Sequence, residues 1–242
     1  MALYDCDNLV SVDISASVTT IGEHNFIYCS NLKAIQVDEK NMNYCSINGD
    51  LYSKDKTVFI YYCKAKGESK FTIPNTVKVI EEEAFAYNWD IGEIVIPDSV
   101  TTIKERAFES NRAKMTLPTS LEYIGYCAFY GCYGLTSITI SCDISKSAFS
   151  SCSYLRYVTI LDGVTKIPDG AFNRCRYLKE ITIPKSITYI GARIYQNGSD
   201  GIDLDKITFL GTKTEWDAIE KDPYWDVGCS NPVIVFMEEE ST

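Results

Sequence analysis

The sequence predicts a repeat solenoid, mainly β, whose short strands stack in parallel. Three observations predict it. One pattern, apolar-x-x-Ile-Gly-x-x-small-Phe-x-x-Cys-x-x-Leu-x-x-Ile-x-apolar, recurs through most of the chain. Its aromatic anchor returns at Phe85, Phe108, Phe129, Phe149 and Phe172, with spacings of 23, 21, 20 and 23 residues. Each unit also closes on apolar residues two apart, the alternation of a half-buried strand. A unit of this length cannot bury its own apolar side, whereas stacked units share one continuous core.

The elements follow in order. "ALYDCDNLVSVDI" enters the pattern at its Phe step, with Leu3, Cys6, Leu9, Val12 and Ile14 in register. The first coil is therefore expected to be cut in half, the chain being a piece of a larger protein. "VTTIGEHNFIYCSNLKAIQV" (18–37) is a complete unit anchored on Phe26. Residues 38–70 interrupt the repeat. Asn48-Gly49 and Lys54-Asp55-Lys56 are turn signals between alternating apolar runs, which predicts a meander of two or three strands projecting from the coil. Tyr52, Phe59 and Tyr61 are its candidate exposed binding aromatics, with Tyr44 and Tyr62 beside them.

Units then run through 77–97, 100–118, 121–140 and 164–184, with a shortened one around Phe149. Pro97, Pro118 and Pro184 follow directly on strands, as expected of a residue that cannot donate to a ladder. The Phe108 unit lacks two residues before Met115, "SCDISKSAF" lacks the Pro and the Ile-Gly, and after Gly191 the Ala-Phe step becomes "ARIYQNGSDG". These departures bear on local curvature, not on the fold. The solenoid is assigned to 1–211 and a capping segment to 212–242. In that segment "TKTEWDAIEKDPYW" predicts a short helix, with Thr214 as N-cap three residues before Asp217. Trp216, Ile219 and Trp225 are placed over the last coil, and "NPVIVF" predicts one more strand.

The formal charge of −10 argues against nucleic acid and against an anionic membrane surface. No stretch of eighteen apolar residues is present, so no membrane insertion is expected. With His24 the only histidine, Ser-His-Asp or Cys-His chemistry would have to pass through that residue, and no nucleophile–base motif surrounds it. No enzyme activity, cofactor or metal is expected. Glu81–Glu83 and Glu238–Glu240 lack the loop spacing and Gly turn of a calcium site and read as solvated faces. The sequon Asn197-Gly198-Ser199 is too short a match to carry weight.

The ten cysteines divide by register. Cys6, Cys29, Cys132, Cys152 and Cys175 stand three residues after the Phe position, where Asn88 and Asn111 stand in other coils. That column predicts buried groups satisfying backbone at a turn, with inert thiols. Cys45, Cys63, Cys127, Cys142 and Cys229 fall off register. A Cys45–Cys63 disulfide across neighbouring strands is conceivable. Cys127 shares its slot with His24, Glu83, Arg106, Ser147 and Gly170, a variety that predicts a position near the surface.

Between the paired apolar residues, the outward-facing strand centres include Thr116, Thr139, Thr159, Thr182 and Thr208. Two residues back on the same face lie Ser137, Tyr157, Glu180 and Lys206, of which Tyr157, Glu180 and Lys206 form a cluster of mixed character. This face is the candidate binding surface, since solenoids often bind across their concave sheet. The plainer reading is that Thr is a good exposed strand residue.

The combination Ile-Pro-x-x-Val-x-x-Ile-Gly-x-x-Ala-Phe-x-x-Cys-x-x-Leu, with "IPNTVKVIEEEAFAYN" (73–88) and "IPDSVTTIKERAFESN" (96–111) close to it, resembles the BspA-like leucine-rich repeat family. The likeness covers about residues 2–37 and 71–211. It implies a right-handed leucine-rich-repeat superhelix with a parallel sheet on its concave face, from a bacterial or sometimes protozoan surface protein. It also implies an extracellular or cell-surface location and adhesion to a host or matrix protein. The expectation is a monomeric, non-catalytic binding module that presents its sheet to a protein partner. The alternative is an architectural spacer with no ligand of its own.

Overall fold

The recurring apolar pairs do form strands, and the strands pair in parallel. The computed structural model describes residues 3–195, 204–227 and 232–237. Ser137–Ile140, Tyr157–Ile160, Glu180–Ile183, Lys206–Phe209 and Val233–Phe236 make a five-stranded parallel sheet in that order. Ser11–Ile14 pairs with Ala34–Val37, and Lys70–Thr72 with Glu93–Val95, each likewise in parallel. Alternation decides which side is inside: Ile138, Ile140, Val158, Ile160, Ile181, Ile183, Ile207 and Phe209 are buried.

A second ladder runs along another side of the coils. Two-residue strands at Val79–Ile80, Thr102–Ile103 and Tyr123–Ile124 pair in parallel, as do Lys166–Ile167, Tyr189–Ile190 and Glu220–Lys221. All but Glu220–Lys221 hold the Ile that stands before the Gly slot.

The Phe column is the core's spine. Phe85, Phe108, Phe129 and Phe149 stack with centroids 5.0–5.1 Å apart and planes within 5°, and Phe172 continues at 6.1 Å. Beside the rings, each Phe amide donates to the next coil, Phe108 to the Ala128 carbonyl and Phe129 to that of Ala148, both at 2.8 Å. On either side of the Phe, two positions out, the backbone takes a left-handed turn. Glu83, Arg106, Cys127, Ser147 and Gly170 have φ of +50° to +64°, as do Tyr87, Ser110, Gly131, Ser151 and Arg174 at similar values. The pattern survives in the coil where the motif fades. Tyr195 is buried in the Phe position, Arg193 is left-handed, and Phe172 N donates to Ile194 O at 2.7 Å.

The insertion is a meander of three antiparallel strands, Tyr44–Ile47, Asp50–Ser53 and Val58–Tyr61, but it does not project. Val58–Tyr61 pairs in parallel with Val79–Ile80, so the meander continues the second ladder. It lies between the first full coil and the rest, and both of its faces are covered. Tyr52 and Phe59 face the main core, where Phe59 stacks on Phe85 at 4.6 Å and 8°. Leu51, Tyr61 and Cys63 face the core of Phe26, Leu32 and Ile35. Tyr52, Phe59 and Tyr61 are thus 1, 0 and 4 % exposed, and the expectation that they form a binding surface is corrected. Their physical role is to fill the Phe column across the 59-residue gap from Phe26 to Phe85.

At the C-terminal side the helix spans Lys213–Ala218, and its N-cap is Thr212, two residues before the expected Thr214. Thr212 Oγ1 accepts from Glu215 N at 3.2 Å while Glu215 Oε2 accepts from Thr212 N at 2.9 Å, a reciprocal capping box. Trp216 and Ile219 are buried, and Trp216 meets Phe209 and Trp225 edge-on at 5.4 and 6.0 Å. The Asn197 sequon, Cys229, Asn231 and Glu238–Glu240 lie outside the described residues.

Candidate functional site

The cysteine column behaves as a hydrogen-bonding ladder. The thiols of Cys132, Cys152 and Cys175 donate to the carbonyls of Phe108, Phe129 and Phe149 in the preceding coil, at 3.0, 3.0 and 3.2 Å. Cys29 does the same to Leu3 O, and Asn111 Nδ2 to Phe85 O at 2.9 Å. Burial in an apolar column holds these thiols in the protonated form. Cys45 and Cys63 are free thiols bonded to different carbonyls, Ser53 O and Gly49 O. Cys127 is buried, against the surface position expected for it. Its slot tolerates varied side chains because the shared requirement is a left-handed backbone, and Gly170 in the same column is the sequence signal for that.

The outward sheet face has the predicted register. Thr139 pairs with Thr159, Thr159 with Thr182, and Thr182 with Thr208. In the neighbouring row Ser137, Tyr157, Glu180 and Lys206 pair in succession. Lys206 Nζ lies 3.0 Å from a Glu180 carboxylate oxygen, and Tyr157 is 47 % exposed beside that pair. Thr116 is exposed but stands outside the sheet. The two residues missing from its coil reduce the ladder there to a single Glu93–Lys114 bridge. Gly134 closes the step: a Cβ there would overlap the Ala113 carbonyl.

Two further clusters were not read from the sequence. The first lies between the Phe26 coil and the meander, a cavity of about 350 Å³ lined by Phe26, Ile60, Tyr61, His24, Glu82 and Glu83. His24 Nδ1 is 2.6 Å from Glu83 Oε2, and its other ring nitrogen is 3.9 Å from Glu82. The hydrogen bond to Glu83 raises the histidine's pKa, while burial raises that of Glu83. One ligand atom from each of the three lies within 4.8 Å of the others, so these residues could hold a cation. Here they satisfy one another. The sequence separates His24 from Glu83 by the whole insertion, which is why the pairing was not legible.

The second cluster is a flank just ahead of the sheet strands. Tyr133, Tyr154 and Tyr177 are 40–52 % exposed and follow one another along the stack at 6.3 and 6.0 Å. Trp89 is exposed in the same slot as Tyr133, and the Arg112 guanidinium sits 5.6 Å from its ring. The signal was available in the position one or two residues after each column Cys or Asn.

The interior of the insertion carries one buried ion pair. Asp50 accepts from Cys63 N at 2.8 Å and from Lys66 Nζ at 2.5 Å. Burial raises its pKa to about 6 despite both donors.

Residues 1–64, 55–146 and 109–217 match the BspA type leucine rich repeat region, in six copies. No curated protein matches the chain. Among solved structures, a leucine-rich repeat protein from Eubacterium ventriosum is 26% identical, with TM-score 0.56 over 82% of this chain and 50% of its own. A leucine rich cell surface protein from Faecalibacterium prausnitzii is 27% identical, with TM-score 0.59 over 88% of this chain and 51% of its own. The pneumococcal vaccine antigen PcpA, 21% identical, shares the fold with TM-score 0.68 over 95% of this chain and 56% of its own. The chain therefore spans about half the length of these structures. It belongs to the BspA-type leucine-rich repeat family.

Proposed function

We propose that the chain is a non-catalytic binding module of a bacterial cell-surface or secreted protein, with a protein partner. The observation that carries this is the row Tyr157, Glu180 and Lys206, with Tyr157 exposed and the other two half-buried, brought into register on the outer face of the five-stranded sheet. A rigid parallel sheet fixes those side chains without any loop, and solenoid sheets offer extended binding surfaces of this kind. The likeness to a leucine rich cell surface protein supports a surface location. Catalysis has little to work with: His24 is tied to Glu83, and the column thiols are buried beneath the backbone.

An array of surface and matrix proteins probed with the purified chain tests the reading. Saturable binding that falls at least tenfold in Tyr157→Ala, with an unchanged melting curve, is expected. Silence of the folded protein across the panel would favour the architectural spacer instead.

A further inference from the structure

The flank ahead of the sheet has a composition unlike the rest of the molecule. Arg112, Arg174 and Arg176, half of the chain's six arginines, converge with Tyr133, Tyr154 and Tyr177 on a groove of about 990 Å³. Among the described residues no carboxylate lines it, in a chain of net charge −10. All three arginines are exposed, and among the described residues none of them forms an ion pair. Exposed lysines elsewhere include ones matched by a carboxylate, as in Lys70–Glu93 and Lys146–Asp169. The Arg112 guanidinium lies over the face of Trp89.

We propose that this groove is a second interaction surface, which takes an acidic, extended polypeptide segment of a protein partner. The charge argument is direct: guanidinium groups without carboxylates of their own bind carboxylates through paired N–H donors. The geometry selects an extended chain. The groove crosses the four coils anchored by Phe108, Phe129, Phe149 and Phe172, whose rings are 5.0–6.1 Å apart. Its tyrosines repeat at 6.3 and 6.0 Å. Alternate side chains of an extended strand repeat at about 6.6–6.8 Å, so every second residue of a strand along the stack meets a new coil. Tyr and Arg are also the residues that most often anchor protein interfaces. The surface is separate from the Tyr157 row and does not depend on it.

The test is fluorescence polarisation of a labelled ten-residue oligoglutamate on the intact chain, with a neutral Gly/Ser peptide as control and a sulfated polysaccharide as competitor. Saturable binding is expected for the acidic peptide alone. It should weaken at least tenfold in R112A/R174A/R176A and several-fold in Y154A/Y177A, and persist in Tyr157→Ala. It should also weaken as salt rises from about 50 to about 200 mM. Variants enter the comparison only with wild-type melting curves. Binding of the polysaccharide without binding of the peptide would overturn the proposal, as would peptide binding that survives loss of all three arginines. Absence of any binding at low salt would overturn it equally.

Discussion

An added methyl group reads how tightly one coil sits on the next. At Gly125 a Cβ would fall 2.6 Å from Glu105 N and 2.7 Å from the Lys104 carbonyl carbon, both backbone atoms of the preceding coil. Neither can rotate away, so Gly125→Ala has to push two coils apart by several tenths of an ångström. That disturbs the adjoining Tyr123–Ile124 and Thr102–Ile103 pairing. Overpacking of this kind costs about 2–3 kcal/mol. Gly22 occupies the same Ile-Gly slot in the first full coil, yet its nearest neighbour would be Asn25 Nδ2 at 3.4 Å, and its φ is not left-handed. Gly22→Ala should therefore be neutral or stabilise by up to about 1 kcal/mol, through the unfolded chain's lost freedom. Urea unfolding followed by tryptophan fluorescence should place the two midpoints about 1 M apart or more, for a denaturant slope of about 1–3 kcal/mol per M. Equal midpoints would refute the view that contact between coils, and not turn geometry, places glycine at this slot.

Phe129→Ala removes a fully buried ring stacked on both sides and should cost about 3–5 kcal/mol in the same assay, against less than about 0.5 for Tyr157→Ala. Deleting 40–66 should abolish folding, since it takes Tyr52, Phe59 and Tyr61 out of two cores; a folded deletion product by circular dichroism would contradict the placement of the meander. Asp50 has a raised folded pKa, so the folded state holds its proton more tightly than the unfolded chain does. Stability should accordingly fall as pH rises from about 4 through about 6, by up to about 3 kcal/mol, and Asp50→Asn should flatten that window in unfolding curves taken at a series of pH values. Cys132, Cys152 and Cys175 should resist a thiol reagent at pH 8 until the chain is unfolded, as mass spectrometry of the labelled protein would show.

What could be read without a structure was whatever repeats. The Phe, Leu and Cys columns and the paired strand residues are enforced coil after coil, because each coil can bury its apolar side only against an equivalent neighbour. The Thr139–Thr208 row and the Tyr157–Glu180–Lys206 row follow from that alternation alone. What was misread breaks the period. The alternating aromatics of residues 44–62 read as a projecting meander with exposed aromatics, and their sequence is the same whether the meander projects or lies between two cores. Only the parallel pairing of Val58–Tyr61 with Val79–Ile80 buries both faces. The variety at the Cys127 slot suggested exposure, while the structure shows a backbone requirement that many side chains meet. Tyr133 stands one residue after its column cysteine and Tyr154 and Tyr177 two after theirs, so they align in space without aligning in the repeat. Local periodicity and shared burial are enough to impose the stacked, parallel, mainly β solenoid. The fate of the insertion, the His24–Glu83 pairing and the gathering of three arginines come from the packing in space: His24 lies 59 residues from Glu83, Arg112 lies 62 from Arg174, and the insertion meets Val79–Ile80 through a pairing that no periodic rule encodes.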